Sequence, residues 1–188
     1  KNHSAELYGK AVQASTLEES VALCKNIHTE ATRHECLAFL AQSHGHAQPA
    51  ATETICAELP PSIWRDECFF LLSEAISSPG TPRPSATLCR RAGRSRQPCF
   101  MHLFAGHVGY LRSEHTLHEA MERYVEAIEL GGQDSPKDFA HQAWSLFFSK
   151  PDHVVIDIQH CMDLGDSRTQ CISGAREALH RRLNQAVQ

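Results

Sequence analysis

The chain has 188 residues, of which 41% are hydrophobic and 21% charged, a balance that predicts a folded domain and excludes a disordered chain. Its net charge of −4 argues against a general nucleic-acid binder. No apolar run reaches the roughly 18 residues of a membrane-spanning helix. Because the chain begins with Lys1, we expect a trimmed or mature fragment.

Helix signals follow one another along the chain, without the two-residue alternation that marks a strand. Thr16 and Glu19 form a capping box, which predicts a helix that reaches about Ile27. A second helix is expected from about Glu30, and a third follows the Pro-Pro-Ser break at 60–62. Further helix boundaries are predicted at Ser113, Gly131, Gly132, Pro136, Gly165 and Asp166. The sequence therefore predicts an all-α protein.

The eight cysteines form four close pairs that recur along the chain. The first two pairs each enclose eleven residues and the last two enclose nine. The first members of the first three pairs are 32 and 33 residues apart, a period typical of a repeated helical hairpin. An Arg lies three residues before the second Cys of every pair, at Arg33, Arg65, Arg96 and Arg168. The pairs are Cys24 with Cys36, Cys56 with Cys68, Cys89 with Cys99, and Cys161 with Cys171.

One further repeat fits between the third and fourth pairs, with Ile128 and Ala140 in place of its cysteines. We therefore predict a single domain over 1–188, an α-solenoid of about five helical hairpins. Their approximate bounds are 16–45, 50–78, 84–111, 113–149 and 152–186.

Each cysteine pair is expected to form a disulfide inside its own hairpin. The first Cys lies near the end of one helix and the second in the first turns of the next, where antiparallel helices bring Cβ atoms close. Three alternatives stay open: zinc ligands, which favour closer spacing, a twin C-x9-C pair on one unbroken helix, and free buried thiols. Four disulfides predict a secreted or periplasmic protein.

The repeated Arg has two interpretations. A cation in the first turn of a helix is unfavourable for that helix dipole, but it is favourable if it reaches back to the last carbonyls of the preceding helix. We prefer this structural clasp to a row of ligand-binding arginines.

With this cysteine register, the sequence resembles the α-solenoid families of tetratricopeptide and Sel1-like repeats. It looks most like secreted bacterial Sel1-like proteins in which one disulfide links each hairpin. The resemblance covers about Leu17 to Leu183. It implies an extended groove that binds proteins or peptides, and it supplies no catalytic residues.

Candidate site residues come from the histidines and the charged clusters. His107, His115 and His118, with Glu122 or Glu119 as a fourth ligand, are candidate ligands for a divalent transition metal. The alternatives are histidines that are solvated or cap helix carbonyls, which is common at helix ends and is the favoured interpretation, and a pH-sensing group. The candidate partner-binding residues are Arg90, Arg91, Arg94, His44 and His46. The motifs of serine hydrolases, P-loop proteins, dinucleotide-binding proteins and zinc proteases are absent.

The leading prediction is an extracytoplasmic, non-enzymatic helical-repeat module that binds a protein or peptide. One alternative is a metal-binding protein that uses the histidine cluster. The other is an enzyme, or an accessory subunit of one, with a pocket inside the helical superhelix. A nucleic-acid partner is not expected, because the net charge is negative.

Overall fold

A computed structural model describes residues 3–78, 81, 83–103, 161–162 and 168–186. All regular structure within these ranges is helical and no strand occurs there, which confirms the all-α prediction. The helices are α1 (His3–Gln13), α2 (Leu17–Lys25), α3 (Glu30–His44), α4 (Pro49–Glu58), α5 (Ile63–Ala75), α6 (Arg83–Cys89), α7 (helical residues 96–103) and the C-terminal helix (Arg168–Ala186), with a 3₁₀ turn at Gly93–Ser95. None of the described helices is long and apolar enough to cross a membrane.

The predicted helix starts are confirmed by their caps. Thr16 Oγ1 accepts a hydrogen bond from the Glu19 N–H at 3.2 Å, and α2 begins at the next residue. Ser62 Oγ accepts from the Arg65 N–H at 3.3 Å, so α5 begins directly after the Pro-Pro-Ser break. The end of α2 lies two residues before the predicted Ile27, because the chain turns there and buries the Ile27 side chain.

Helix α1 lies before the first predicted repeat, in a segment for which no helix was predicted. Leu7 and Ala11, four residues apart, share one helix face and are buried against α2 and α3. Glu6 and Lys10 form an ion pair of 2.8 Å on the exposed face. The same four-residue spacings are visible in the sequence, and they are the signal that could have identified this helix.

The four predicted disulfides are confirmed. They join α2 to α3, α4 to α5, α6 to α7, and Cys161 to the C-terminal helix. The paired Cα atoms are 5.4 to 5.6 Å apart, and every cysteine is at most 1% exposed. The described residues contain no free cysteine. These bonds are therefore part of the core.

The chain divides into two compact units, of which Lys1–Ser77 with Thr87–Cys99 is the first and Ser78–Ala86 with Phe100–Gln188 the second. In the first unit, α3 packs most extensively on α5 and also touches α1, α2 and α4. Gly45, directly after α3, permits this approach: a Cβ there would lie 2.8 Å from Leu72 Cδ1 and 3.0 Å from Ala75 Cβ. In the second unit, the C-terminal helix buries Cys171 and Ala175. The predicted hairpin count and the single domain stay predictions.

Burial follows the cysteine register in the first three disulfide-linked helix pairs. Four residues before each first Cys lies a buried hydroxyl, and three residues after it lies a buried apolar side chain. Four residues after each second Cys lies a buried Leu. The three sets are Ser20, Thr52 and Ser85; Ile27, Leu59 and Ala92; and Leu40, Leu72 and Leu103. The same positions of three successive pairs therefore face inward.

Candidate interaction surface

Two of the four repeated arginines act as the predicted clasp. Arg33 Nη1 donates to the carbonyl of Ile27 at 3.2 Å, just beyond α2, and Arg168 Nη2 donates to the carbonyl of Met162 at 2.9 Å. Each bond runs from the second helix of a disulfide-linked pair to a carbonyl that shortly follows the first cysteine. Arg65 differs, because its hydrogen bond to Ser62 uses the backbone N–H. The arrangement favours a structural role for Arg33 and Arg168 over a ligand-binding row.

Arg91, one of the predicted partner-binding residues, is held by two neighbours on other helices. Its guanidinium carbon lies 4.2 Å from the ring centre of Phe69, a cation–π arrangement over a fully buried ring of α5. Its Nη1 also pairs with Glu53 of α4. Arg91 therefore ties the end of α6 to α4 and α5, and its charge is already compensated.

Arg94 belongs to a second cluster, at the 3₁₀ turn. The Asp66 carboxylate of α5 accepts from the Arg94 backbone N–H at 3.0 Å and from Arg94 Nε at 3.3 Å. The neighbouring Gly93 has φ +47° and leaves space for that carboxylate, since a Cβ there would lie 2.7 Å from Asp66 Oδ2. Asp66 is 15% exposed while Arg94 is 74% exposed, so the carboxylate fixes the turn and the guanidinium stays accessible.

Arg90 is the predicted basic residue that makes no ion pair within the described part of the chain. It is exposed and directly follows α6. The basic cluster of the sequence is thus smaller in the structure, because Glu53 and Asp66 neutralise two of its three arginines.

His44, also predicted to bind a partner, lies in the interior at 8% exposed. Its Nε2 lies 2.9 Å from Ser20 Oγ, and Ser20 Oγ donates to the Ala11 carbonyl at 2.8 Å. A hydroxyl has one proton to donate. Since that proton goes to Ala11, His44 Nε2 must donate to Ser20, which fixes the tautomer. His44 therefore links the end of α3 to α2 and α1.

His46 is exposed, and its Nδ1 lies 3.3 Å from the carbonyl of Ala75, the last residue of α5. The nitrogen donates in this bond, because a carbonyl only accepts. The predicted metal ligands His107, His115, His118 and Glu122, with Glu119, lie outside the described residues. Among the residues that are described, no three His, Cys, Asp or Glu side chains cluster as metal ligands would.

The C-terminal helix carries an exposed apolar pair that the sequence analysis did not single out. Leu179 and Leu183 are 50% and 59% exposed, although they lie four residues apart on one face. Arg176 lies on the same side of the helix and is also exposed. The i, i+4 leucine pair is a sequence signal, but exposure is what separates it from an ordinary core stripe.

Comparison with known proteins adds no family assignment. No protein-family model matches the chain, and no curated protein and no solved structure matches it significantly.

Proposed function

We propose that the chain is a non-enzymatic helical-repeat module, an α-solenoid that works outside the cytoplasm and binds a protein or peptide. The observation that carries this proposal is the shared burial register of three successive disulfide-linked helix pairs. Repeated units that bury the same positions stack on their neighbours, and stacked repeats form one continuous binding surface. Extensive packing of α3 on α5, the second helices of successive pairs, supports stacking.

The cysteines support the proposed compartment. Disulfides persist in oxidising environments and are rare in the cytosol. All four bonds lie in the core, where they link neighbouring helical segments. Thiol trapping of the protein in its source cells should find every cysteine oxidised; a reduced, folded protein would contradict an extracytoplasmic location.

The accessible basic side chains indicate the kind of ligand for the first unit. Arg90 and Arg94 are exposed, and His46 adds an exposed imidazole. A peptide with carboxylates complements these groups. Arg91 and His44 contribute by positioning α6 and α3, because their polar groups are already engaged inside the protein.

The test selects ligands from an unbiased displayed-peptide library and measures their affinities by calorimetry. We expect acidic peptides with dissociation constants below about 100 μM. Their binding should protect amides from hydrogen exchange in at least two successive disulfide-linked pairs. A double variant with Arg90→Glu and Arg94→Glu should weaken binding at least tenfold. The double variant with Arg90→Lys and Arg94→Lys keeps both positive charges and is the matched control. Absence of binders, or protection confined to one pair, would refute the proposal.

A further inference from the structure

The C-terminal helix has a stripe that its own fold leaves uncovered. Ile172, Arg176, Leu179 and Leu183 follow the spacing i, i+4, i+7, i+11, so they lie within about 60° of one another around the axis. The two leucines and Arg176 are exposed, and Ile172 is half-buried. The residues that this helix buries, including Cys171 and Ala175, lie on the adjoining face.

The geometry of the stripe matches a helix-packing seam. Side chains at this spacing on one helix insert between those of a second helix that lies alongside it. The stripe spans about 16 Å, roughly three turns, which is sufficient for a helical peptide. Arg176 stands between Ile172 and Leu179, so an occupant must place a group opposite a cation.

The charges on this helix select the occupant. Among its described side chains, Arg168, Arg176 and Arg181 are basic and Glu177 is the acidic one, and Glu177 pairs with Arg181 at 3.1 Å. Arg176 makes no ion pair within the described residues. A second copy of this stripe would bring Arg176 and no carboxylate of its own, so it lacks the group of opposite charge that Arg176 calls for.

We propose that this stripe docks an amphipathic helix of a protein partner that sets an Asp or Glu against Arg176 and apolar side chains against Leu179 and Leu183. The proposal rests on the proposed function and names a partner-binding face for the second compact unit. Burial of the leucines supplies affinity, and the ion pair sets register and selects acidic over basic partners.

The probes are two synthetic 18-residue amphipathic helical peptides with the same leucine seam. One carries Glu at the central seam position and the other carries Lys. Fluorescence anisotropy should show at least tenfold tighter binding of the Glu peptide, which corresponds to about 1.4 kcal/mol. Hydrogen exchange should show protection within residues 168–186. Arg176→Glu should reverse the preference, so that the Lys peptide binds more tightly.

The leucines are tested by Leu179→Ser and Leu183→Ser. Each substitution should weaken binding of the Glu peptide at least tenfold. Leu179→Ala provides a milder truncation that keeps helix propensity. Val12→Ser is the matched control, because Val12 is an exposed apolar side chain of α1, and it should leave binding unchanged. Circular dichroism should show equal helicity in all four variants.

Four results would overturn the proposal. Equal binding of both peptides would remove the role of Arg176. Binding to vesicles with anionic phospholipid, without binding of the Glu peptide, would assign the stripe to a lipid surface. Protection only in residues 17–75 would leave the proposed function intact and place the ligand on the first unit. Failure of both designed peptides, together with an empty displayed-library selection, would remove the proposed function as well.

Discussion

Gly93 offers the sharpest test of the described geometry. It has φ +47°, a conformation that costs an L-residue about 1–2 kcal/mol. In Gly93→Ala, the new Cβ would also lie 2.7 Å from Asp66 Oδ2. The carboxylate must move and lose the bonds from Arg94, at 3.0 and 3.3 Å. Because Arg94 is largely exposed, these bonds add about 1–2 kcal/mol. We expect Gly93→Ala to lower the free energy of unfolding by about 2–4 kcal/mol in total.

The assay is urea unfolding of the oxidised protein, followed by far-UV circular dichroism, with the slope m compared between variants. Gly9→Ala is the matched control, because Gly9 lies inside α1 and nothing lies within 4 Å of its added Cβ. Gly9→Ala should raise the free energy of unfolding by about 0.5–1 kcal/mol, because Ala has the higher helix propensity. The same substitution thus has opposite expected signs at the two positions.

A double-mutant cycle separates the two causes of the loss at Gly93. In the Asp66→Ala background the carboxylate is absent, so Gly93→Ala should cost only the backbone term of about 1–2 kcal/mol. An equal cost with and without Asp66 would refute the role of the carboxylate. If Gly93→Ala alone lowers the free energy of unfolding by less than about 0.5 kcal/mol, the conformation described for the 3₁₀ turn is refuted.

Two further predictions concern Arg91 and the disulfides. Arg91→Ala should lower the free energy of unfolding by about 1–1.5 kcal/mol, because it loses the Phe69 stacking and the Glu53 pair. The neighbouring Arg90→Ala should change it by less than about 0.5 kcal/mol in the same urea titration, and equal effects would contradict the structure. Dithiothreitol without denaturant should leave all eight cysteines unreactive to a maleimide, as mass spectrometry would show, because they are buried. Labelling of several cysteines in the folded protein would show that the bonds are accessible.

The local and periodic features of this chain were predictable from the sequence. The Thr16 cap and the Pro-Pro-Ser break act on the residues next to them, so the starts of α2 and α5 follow from local chemistry. Disulfide pairing followed from the repeat, because equivalent positions of a repeated hairpin have equivalent neighbours. Helix α1 was missed because it carries no cysteine and lies before the first repeat.

The side-chain partners of the candidate surface were not predictable in the same way. Arg91 pairs with a residue 38 positions away, and Arg94 with one 28 positions away. The sequence therefore offers no reason to separate Arg91 from Arg90, whereas packing on Phe69 does. His44 and His46 are two residues apart, yet one is buried and the other exposed. These differences depend on which helices pack together.

The bond between Ser20 and His44 leads to the last prediction. Ser20→Ala removes the donor to the Ala11 carbonyl and the acceptor of His44 Nε2–H, and both groups lie away from solvent. An unsatisfied buried polar group costs about 1–3 kcal/mol, so we expect a loss of about 2–4 kcal/mol in urea unfolding. Thr54→Ala is the control, because it removes a side-chain bond of 3.1 Å to the Ala50 carbonyl at an exposed position; it should change stability by less than about 0.5 kcal/mol. Nitrogen-15 chemical shifts should show His44 protonated at Nε2 in the wild type. A neutral imidazole protonated only at Nδ1 would mean that Ser20 donates to His44 and that the Ala11 carbonyl has another partner.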